Sequence, residues 1–142
     1  MIRFFTEEIK FTLPQKTQHR QWLTRLAAQE SFKVGELNYV FCSDEYLLQV
    51  NREHLNHDYY TDIITFDNSE EDDKLEGDIF ISVDRVRENA KNLNVTEEQE
   101  LRRVLAHGLL HLSGYGDKTD EEATAMRGKE DEALNLWQTL AA

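Results

Sequence analysis

The alternation of β-type runs with amphipathic segments is the feature that most constrains how this chain can fold. Four runs rich in β-branched and aromatic residues predict strands over 1–5, 36–42, 61–66 and 77–83. Segments with helical periodicity of apolar residues lie between and after these runs. This order predicts an α/β or α+β arrangement in which helices cover one mixed sheet.

Helix starts are marked by residues that favour a first turn or an N-cap. These residues are Pro14, Ser43, Thr96 and Thr119. Gln99 and Glu122 follow Thr96 and Thr119 by three positions, so each pair forms the capping-box pattern that opens a helix. A further short helix is predicted over 85–93. Glycine at position 114 is expected to end the helix that Thr96 begins.

Length and hydropathy favour a single domain without a membrane segment. The chain has 142 residues, which fits one domain over 1–142. It contains no run of about eighteen apolar residues that could span a bilayer. The N-terminal stretch 1–10 carries acidic residues where a signal peptide would need an apolar core. We therefore expect a cytoplasmic protein with no membrane partner.

The cysteine content excludes two kinds of site, and the net charge argues against one kind of binding. Cys42 is the single cysteine, so an internal disulfide and a zinc site built from several thiolates are both excluded. The formal net charge of −12 argues against non-specific electrostatic binding of nucleic acid. A local basic groove, or a metal ion that neutralises its own surroundings, is compatible with that charge.

The stretch HGLLHLSGYGD carries the clearest chemical pattern. His107 and His111 are four residues apart, so on a helix they lie about 40° apart around the axis and can approach one ion. Gly114 allows the chain to turn back after the helix, which brings Asp117 within reach as an oxygen ligand. Two imidazoles and one carboxylate leave an open position, as in catalytic zinc sites.

Other interpretations of the same stretch exist. A helix end with two histidines can be merely polar, with Asp117 capping or paired at the surface. A structural zinc ion usually has four protein ligands, and no fourth candidate stands nearby. Zinc peptidases carry glutamate, their general base, directly after the first histidine, whereas this chain has Gly108. We expect Gly108 to serve close packing against the sheet instead.

The chain resembles the YbeY family of endoribonucleases. The stretch 107–117 is similar to the family signature H-G-x-L-H-L-x-G-Y-D-H, and 61–66 and 77–82 are similar to its T-D-V-L-S-F and G-D-I-x-I-S strands. The resemblance spans the whole chain. It implies an α+β domain of metal-dependent hydrolase type, with a mixed, roughly four-stranded sheet flanked by helices, and one Zn²⁺ per chain. It also implies cleavage of single-stranded rRNA in 16S 3′-end processing and ribosome quality control, with the ribosome or a ribosomal protein as partner.

Two departures from the family pattern concern the site. Asp117 stands where the family usually has its third histidine, which leaves His107, His111 and Asp117 as the predicted metal ligands. Leu55 stands where the family commonly has an arginine, and Arg52 lies one helical turn earlier.

No catalytic residue is assigned from the sequence. The candidates are Arg52, His54, His57 and Arg103. The three from the stretch 52–57 can equally be exposed polar residues at a helix end. Arg103 can equally be a surface residue paired with Glu100 or another neighbouring acid.

Two mechanisms and two other functions fit the same residues. A bound ion can polarise a phosphoryl oxygen or activate water, and the attacking group can be water or the neighbouring 2′-hydroxyl. The first rival function is a metal-dependent hydrolase of peptides or small molecules. The second is a non-catalytic, ribosome-associated binding module whose metal only holds the last helices in place.

Overall fold

The computed structural model describes residues 1–141, which form four strands and five helices. In chain order the elements are β1 (Ile2–Glu7), α1 (Lys16–Gln29), β2 (Lys33–Cys42), α2 (Asp44–Leu55), β3 (Ile63–Asp67), β4 (Lys74–Ser82), α3 (Val83–Leu93), α4 (Glu97–Leu112) and α5 (Asp120–Ala141). Within residues 1–141, no helix is long and apolar enough to cross a membrane.

The four strands form one mixed sheet in the order β1-β2-β4-β3. β1 and β4 both run parallel to β2, whereas β3 pairs antiparallel with β4 and forms one edge of the sheet. The β2–β4 register shifts between Val34 and Leu37, where β2 carries a bulge. This architecture confirms the predicted α+β fold with its four-stranded mixed sheet.

Helices cover both faces of the sheet. The larger core lies between one face and helices α1, α3, α4 and α5, and it contains Trp22, Tyr39 and Leu105, all fully buried. The smaller core lies under α2, where Leu47 and Val50 pack with residues of β2 and β3. Helix α4 contacts β3, β4, α3 and α5, so its position depends on most of the molecule.

Several predicted boundaries were wrong by a few residues. Pro14 precedes α1 rather than lying in its first turn, because Gln15 adopts a left-handed conformation with φ of 53° and the helix starts after it. Strand β2 begins three residues earlier than predicted. Val83 belongs to α3, which starts after Ser82 accepts a hydrogen bond from the Arg85 amide. Strand β3 begins only at Ile63, so the two residues before it lie outside the sheet.

The predicted helix caps are confirmed where side chains form them. The hydroxyl of Ser43 accepts from the Tyr46 amide, and that of Thr96 accepts from the Gln99 amide, both over 3.1 Å. Within residues 1–141 the Gln99 side chain makes no return hydrogen bond to the Thr96 amide, whereas the second capping box is reciprocal. The Glu122 amide donates to the Thr119 hydroxyl, and the Thr119 amide donates to the Glu122 carboxylate, again at 3.1 Å.

Candidate active site

Helix α4 carries both predicted imidazoles beside the β3 edge of the sheet. The rings of His107 and His111 are parallel within 5°, and their centroids are 6.4 Å apart. Between them, Gly108 packs directly on the sheet, since a Cβ atom there would lie 2.9 Å from Ile79 Cγ2 and 3.0 Å from Ile63 Cδ1. The predicted close packing at Gly108 is therefore confirmed, and the position has no room for the glutamate of a zinc peptidase.

A Schellman turn ends α4 and reverses the chain. The Gly114 amide donates to the His111 carbonyl and the Tyr115 amide donates to the Leu110 carbonyl, both at 3.1 Å. Gly114 has φ of +111°, a conformation that residues with a Cβ rarely adopt. The predicted helix stop is thus confirmed, and the reversal brings Asp117 back toward α4.

His107 lies between two carboxylates. Its Nε2 atom is 3.3 Å from Asp117 Oδ2, and its Nδ1 atom is 2.7 Å from Glu130 Oε2 on α5. Burial lowers the pKa of His107, but the hydrogen bond to Glu130 and the surrounding carboxylate charges outweigh it, so the net shift is upward. The structure therefore brings His107 and Asp117 together as the sequence predicted.

His111 is oriented by the backbone of the turn. Its Nδ1 atom lies 3.1 Å from the Tyr115 carbonyl oxygen, which can only accept a hydrogen bond. The Nδ1–H tautomer follows, and it leaves Nε2 with a free lone pair. His107 has the same arrangement, with Glu130 as acceptor. Histidines that bind metal through one nitrogen usually donate the other N–H to a carboxylate or carbonyl, so both rings suit zinc.

Coordination of one metal ion by His107, His111 and Asp117 together stays a prediction. Within residues 1–141, no group of three or more histidine, cysteine, aspartate or glutamate side chains is already close enough to hold a metal ion. His107 and Asp117 are already in contact, at 3.3 Å between Nε2 and Oδ2. The donor set itself, two imidazole nitrogens and one carboxylate, is one that zinc accepts.

A cleft of about 710 Å³ opens in front of the histidines. Its walls come from the end of α2, the loop before β3, β3 itself, α4 and the following turn. The lining residues are Asn51, Leu55, His57, Tyr59, Thr61, Asp62, Ile63, Ile64, Thr65, His107, His111, Asp117 and Lys118. All three predicted metal ligands therefore face one concave space.

The four catalytic candidates occupy different surroundings. Only His57 lines the cleft, where its ring stacks on Tyr59 with centroids 5.2 Å apart. Arg52 is exposed and pairs with Asp58. His54 is absent from the cleft lining and packs edge-on against Phe66.

Arg103 is also absent from the cleft lining. It pairs with Glu130 at 3.0 Å and with Asp131 at 2.7 Å. The expectation of a paired arginine is therefore met, but with acids of α5 rather than with Glu100. At the position of the family arginine, Leu55 contributes an apolar side chain to the cleft wall.

Sequence reasoning missed two acidic residues of this site. Glu130 contacts His107 from α5, twenty-three residues away, and no local pattern marks it. Asp62 lines the cleft, and burial raises the pKa of its carboxyl, with His107 opposing the shift and Glu130 and Asp117 adding to it. The position of Asp62 directly before β3, within the T-D motif, was the available signal.

Comparisons with known proteins agree with this architecture. The family model described as Endoribonuclease YbeY matches residues 2–138. A protein named Endoribonuclease YbeY from Cytophaga hutchinsonii is 59% identical over 135 residues, which cover 95% of this chain and 94% of the relative. Its namesake from Flavobacterium johnsoniae is 49% identical, with coverage of 94% and 95%.

A solved structure has the same fold. The solution structure of TM1509 from Thermotoga maritima superposes with a TM-score of 0.68 at 28% identity, and the match covers 96% of this chain and 89% of that one. The family match and the relatives extend over nearly the whole chain. The chain therefore belongs to the endoribonuclease YbeY family.

Proposed function

We propose that this protein is a zinc-dependent endoribonuclease that cleaves single-stranded RNA during rRNA maturation, including 16S 3′-end processing and ribosome quality control. The nuclease class follows from family membership. One observation carries the zinc dependence: the Nδ1 atoms of His107 and His111 are both engaged by acceptors, which leaves both Nε2 atoms for a metal beside Asp117.

His107, His111 and Asp117 are the residues that would hold the ion, one ion per chain. When bound, zinc supplies a Lewis acid that polarises a phosphoryl oxygen and promotes attack on phosphorus by water or by the neighbouring 2′-hydroxyl. Asp117 brings one negative charge to this set, so the net charge at the site is lower than with three histidines. A carboxylate ligand also makes the site harder in character, which favours some tolerance for manganese.

Asp62 is the residue in the cleft that is best suited to hold a proton. Burial raises the pKa of its carboxyl and outweighs the opposing charge of His107, while the charges of Glu130 and Asp117 add to the upward shift. A carboxyl group with a raised pKa can donate a proton to the leaving oxygen of a phosphodiester. We assign Asp62 this role as general acid, and Asp62→Asn should lower turnover without loss of bound metal.

Recognition of single strands is supported by aromatic residues at the cleft. Tyr59 is 55% exposed and stacks on His57, and both line the cleft. Unpaired bases stack on such rings, whereas bases in a duplex are not available to them. Lys118 is the basic residue among the lining side chains and can meet a phosphate. With a net charge of −12, stacking and the metal must contribute more to binding than backbone charge.

The proposal is tested by incubating the purified chain with single-stranded rRNA fragments and, in parallel, with casein. We expect cleavage of the RNA only, abolished by a chelator and restored by zinc. His107→Ala and His111→Ala should each remove the activity. RNA cleavage that survives both substitutions would identify a contaminating nuclease.

The same experiment separates the rival functions. Casein cleavage would favour the peptide hydrolase, although Gly108 leaves that route without its base. A folded, zinc-loaded chain that cleaves neither substrate would favour the ribosome-associated module with a structural metal. A role for the ribosome or a ribosomal protein as partner is supported by the family resemblance, and co-sedimentation of the chain with small ribosomal subunits tests it.

A further inference from the structure

Glu130 is a buried carboxylate that joins helix α5 to the candidate metal site. It is 7% exposed, and each of its oxygens has a separate donor. Oε2 lies 2.7 Å from His107 Nδ1, and Oε1 lies 3.0 Å from Arg103 Nη1. The two acceptor atoms of this side chain are therefore divided between the ring of a predicted metal ligand and a guanidinium group.

Arg103 is itself held in place. It lies on α4 one helical turn before His107, and its second terminal nitrogen donates to Asp131 over 2.7 Å. Because the arginine is charged and mostly buried, it compensates the charge of Glu130, which would otherwise be costly to bury beside an apolar core. The chain of contacts thus runs from Asp131 through Arg103 and Glu130 to His107.

This arrangement determines which nitrogen of His107 faces the cleft. A neutral imidazole carries one N–H, and both ring nitrogens of His107 face a carboxylate. The contact with Glu130 is the shorter, 2.7 Å against 3.3 Å to Asp117, so it favours the proton at Nδ1. The lone pair is then on Nε2, the atom that lies 3.3 Å from Asp117. The opposite tautomer would direct an N–H group at the predicted metal position and would leave Glu130 facing a second acceptor.

We propose that Glu130, held by Arg103, is a positioning residue that fixes His107 in the tautomer and orientation required for metal binding. This inference rests on the proposed function, since it assumes that His107 binds the ion. The contrasting interpretation is a buried ion pair of Arg103 and Glu130 that only joins α4 to α5. The two interpretations differ in what a change at Glu130 does to the imidazole.

Glu130→Gln is the informative variant because glutamine keeps the size but offers one acceptor oxygen instead of two. The charged Arg103 competes better for that oxygen, so the amide NH₂ group turns toward His107 Nδ1. The ring must then accept at Nδ1, and its proton moves to Nε2. Outer-shell substitutions of this kind typically weaken metal affinity about 10- to 100-fold, and we expect a loss of that size for zinc.

Two further variants provide the controls. Glu132→Gln makes the same chemical change two residues away on the same helix, at an exposed side chain that contacts Lys129. We expect its zinc affinity to match that of the wild type. Glu130→Asp retains two acceptor oxygens on a shorter side chain, so it should recover part of the affinity lost in Glu130→Gln. Circular dichroism confirms that each variant is folded.

The tautomer is measured directly in the metal-free protein. Long-range nitrogen–proton correlation spectra at alkaline pH, where the imidazoles are neutral, distinguish Nδ1–H from Nε2–H rings. We expect Nδ1–H at His107 in the wild type and Nε2–H in Glu130→Gln. His111 is an internal reference, because its acceptor is the Tyr115 carbonyl and should not change. A purely structural ion pair would leave the His107 signals unaltered.

The outcomes separate this inference from the proposed function. A wild-type chain that binds no zinc would overturn the proposed function and, with it, the inference. A wild-type chain that binds zinc, together with a Glu130→Gln variant of equal affinity and unchanged His107 tautomer, would overturn the inference alone. Lower zinc affinity with a changed tautomer in Glu130→Gln, and with neither effect in Glu132→Gln, would establish the positioning role.

Discussion

At the residue scale, Asp117 determines the charge of the candidate metal site. It contacts His107 at 3.3 Å and stands where the family usually has a neutral histidine. In Asp117→His the net charge of the occupied site rises by one unit, which favours loss of a proton from any group that must be deprotonated for attack. The acidic limb of the activity–pH profile should therefore move to lower pH.

The measurement for Asp117→His is the pH dependence of kcat on single-stranded RNA, with zinc content determined at each pH. Equal zinc occupancy in variant and wild type excludes a simple change in metal affinity. A profile that does not move while zinc remains bound would show that deprotonation at the metal does not limit the rate.

Gly108 is a second position where a single added carbon atom should change the stability of the fold. In Gly108→Ala the new methyl group meets Ile79 and Ile63 at 2.9–3.0 Å, so the two isoleucine side chains or α4 itself must shift. We expect the free energy of unfolding to fall by about 1–3 kcal/mol, as for other overpacked cores. Chemical denaturation measures the change.

Gly128→Ala is the matched control for this substitution. Gly128 lies in the exposed middle of α5, and a Cβ atom there meets nothing within 4 Å. Alanine has the higher helix propensity, so this variant should gain up to about 1 kcal/mol. Equal effects of the two substitutions would contradict the close packing at Gly108.

The sequence predicted those site residues whose relative positions are set within one helix or one turn. His107 and His111 could be predicted because they share one helix, and Gly114 because a helix stop has a short-range signal. Glu130 and Asp62 could not be assigned, since their contacts depend on how α5 and β3 dock against α4. Arg103 shows the same limit: its pairing was expected, but its partners Glu130 and Asp131 lie on another helix.

At the element scale, the turn after α4 links helix termination to the geometry of the candidate metal site. The turn needs Gly114 at φ of +111°, and it places the Tyr115 carbonyl against His111. Gly114→Ala should destabilise the fold by about 1–2 kcal/mol because of the backbone conformation. Displacement of the Tyr115 carbonyl from His111 should also weaken zinc binding. Gly128→Ala should leave zinc binding unchanged. Denaturation and zinc titration of the same samples measure both effects, and unchanged zinc affinity would contradict the link.

His19, on helix α1, should make the free energy of unfolding depend on pH. This side chain is 1% exposed, and its ring packs against Trp137 with centroids 4.5 Å apart. Burial lowers the pKa of His19 below its ordinary value of 6.5, while the Gln15 carbonyl opposes the shift. As pH falls through 6.5 the unfolded chain binds a proton that the folded chain does not, so stability decreases on acidification.

The test compares the free energy of unfolding of wild type and His19→Gln from about pH 8 to about pH 5, around the unperturbed range of histidine. The wild type should lose up to about 1.4 kcal/mol per pH unit relative to the variant, the limit for one proton. Parallel curves would show that His19 does not titrate differently in the two states.

The sequence predicted each strand and helix, but it predicted their first and last residues less accurately. Apolar alternation marks the middle of a strand, whereas its ends depend on which neighbouring strand supplies hydrogen bonds. β4 extends back to Lys74 because it pairs with Lys33 and Val34 of β2. β3, in contrast, starts late, so Thr61 and Asp62 precede the strand and line the cleft, although the Asp62 carbonyl still accepts from the Ser82 amide of β4.

At the scale of the whole molecule, the site lies where three structural units meet. Strand β3 provides the sheet edge, α4 provides two imidazoles, and α5 provides the carboxylate that orients one of them. The mixed sheet and its helical layers were predicted correctly, because hydrophobic periodicity and the family resemblance both indicated them. The order β1-β2-β4-β3 came only from the structure, since pairing of distant strands leaves no local signal.

The central claim is that His107, His111 and Asp117 together bind one zinc ion. Calorimetric titration of the metal-free chain with zinc tests it most directly, with His111→Ala as the comparison, because His111 is one of the three predicted ligands. We predict one zinc ion per wild-type chain and a loss of most of the affinity in His111→Ala. A wild-type chain that binds no zinc, or a His111→Ala variant that binds it as tightly, would contradict the account.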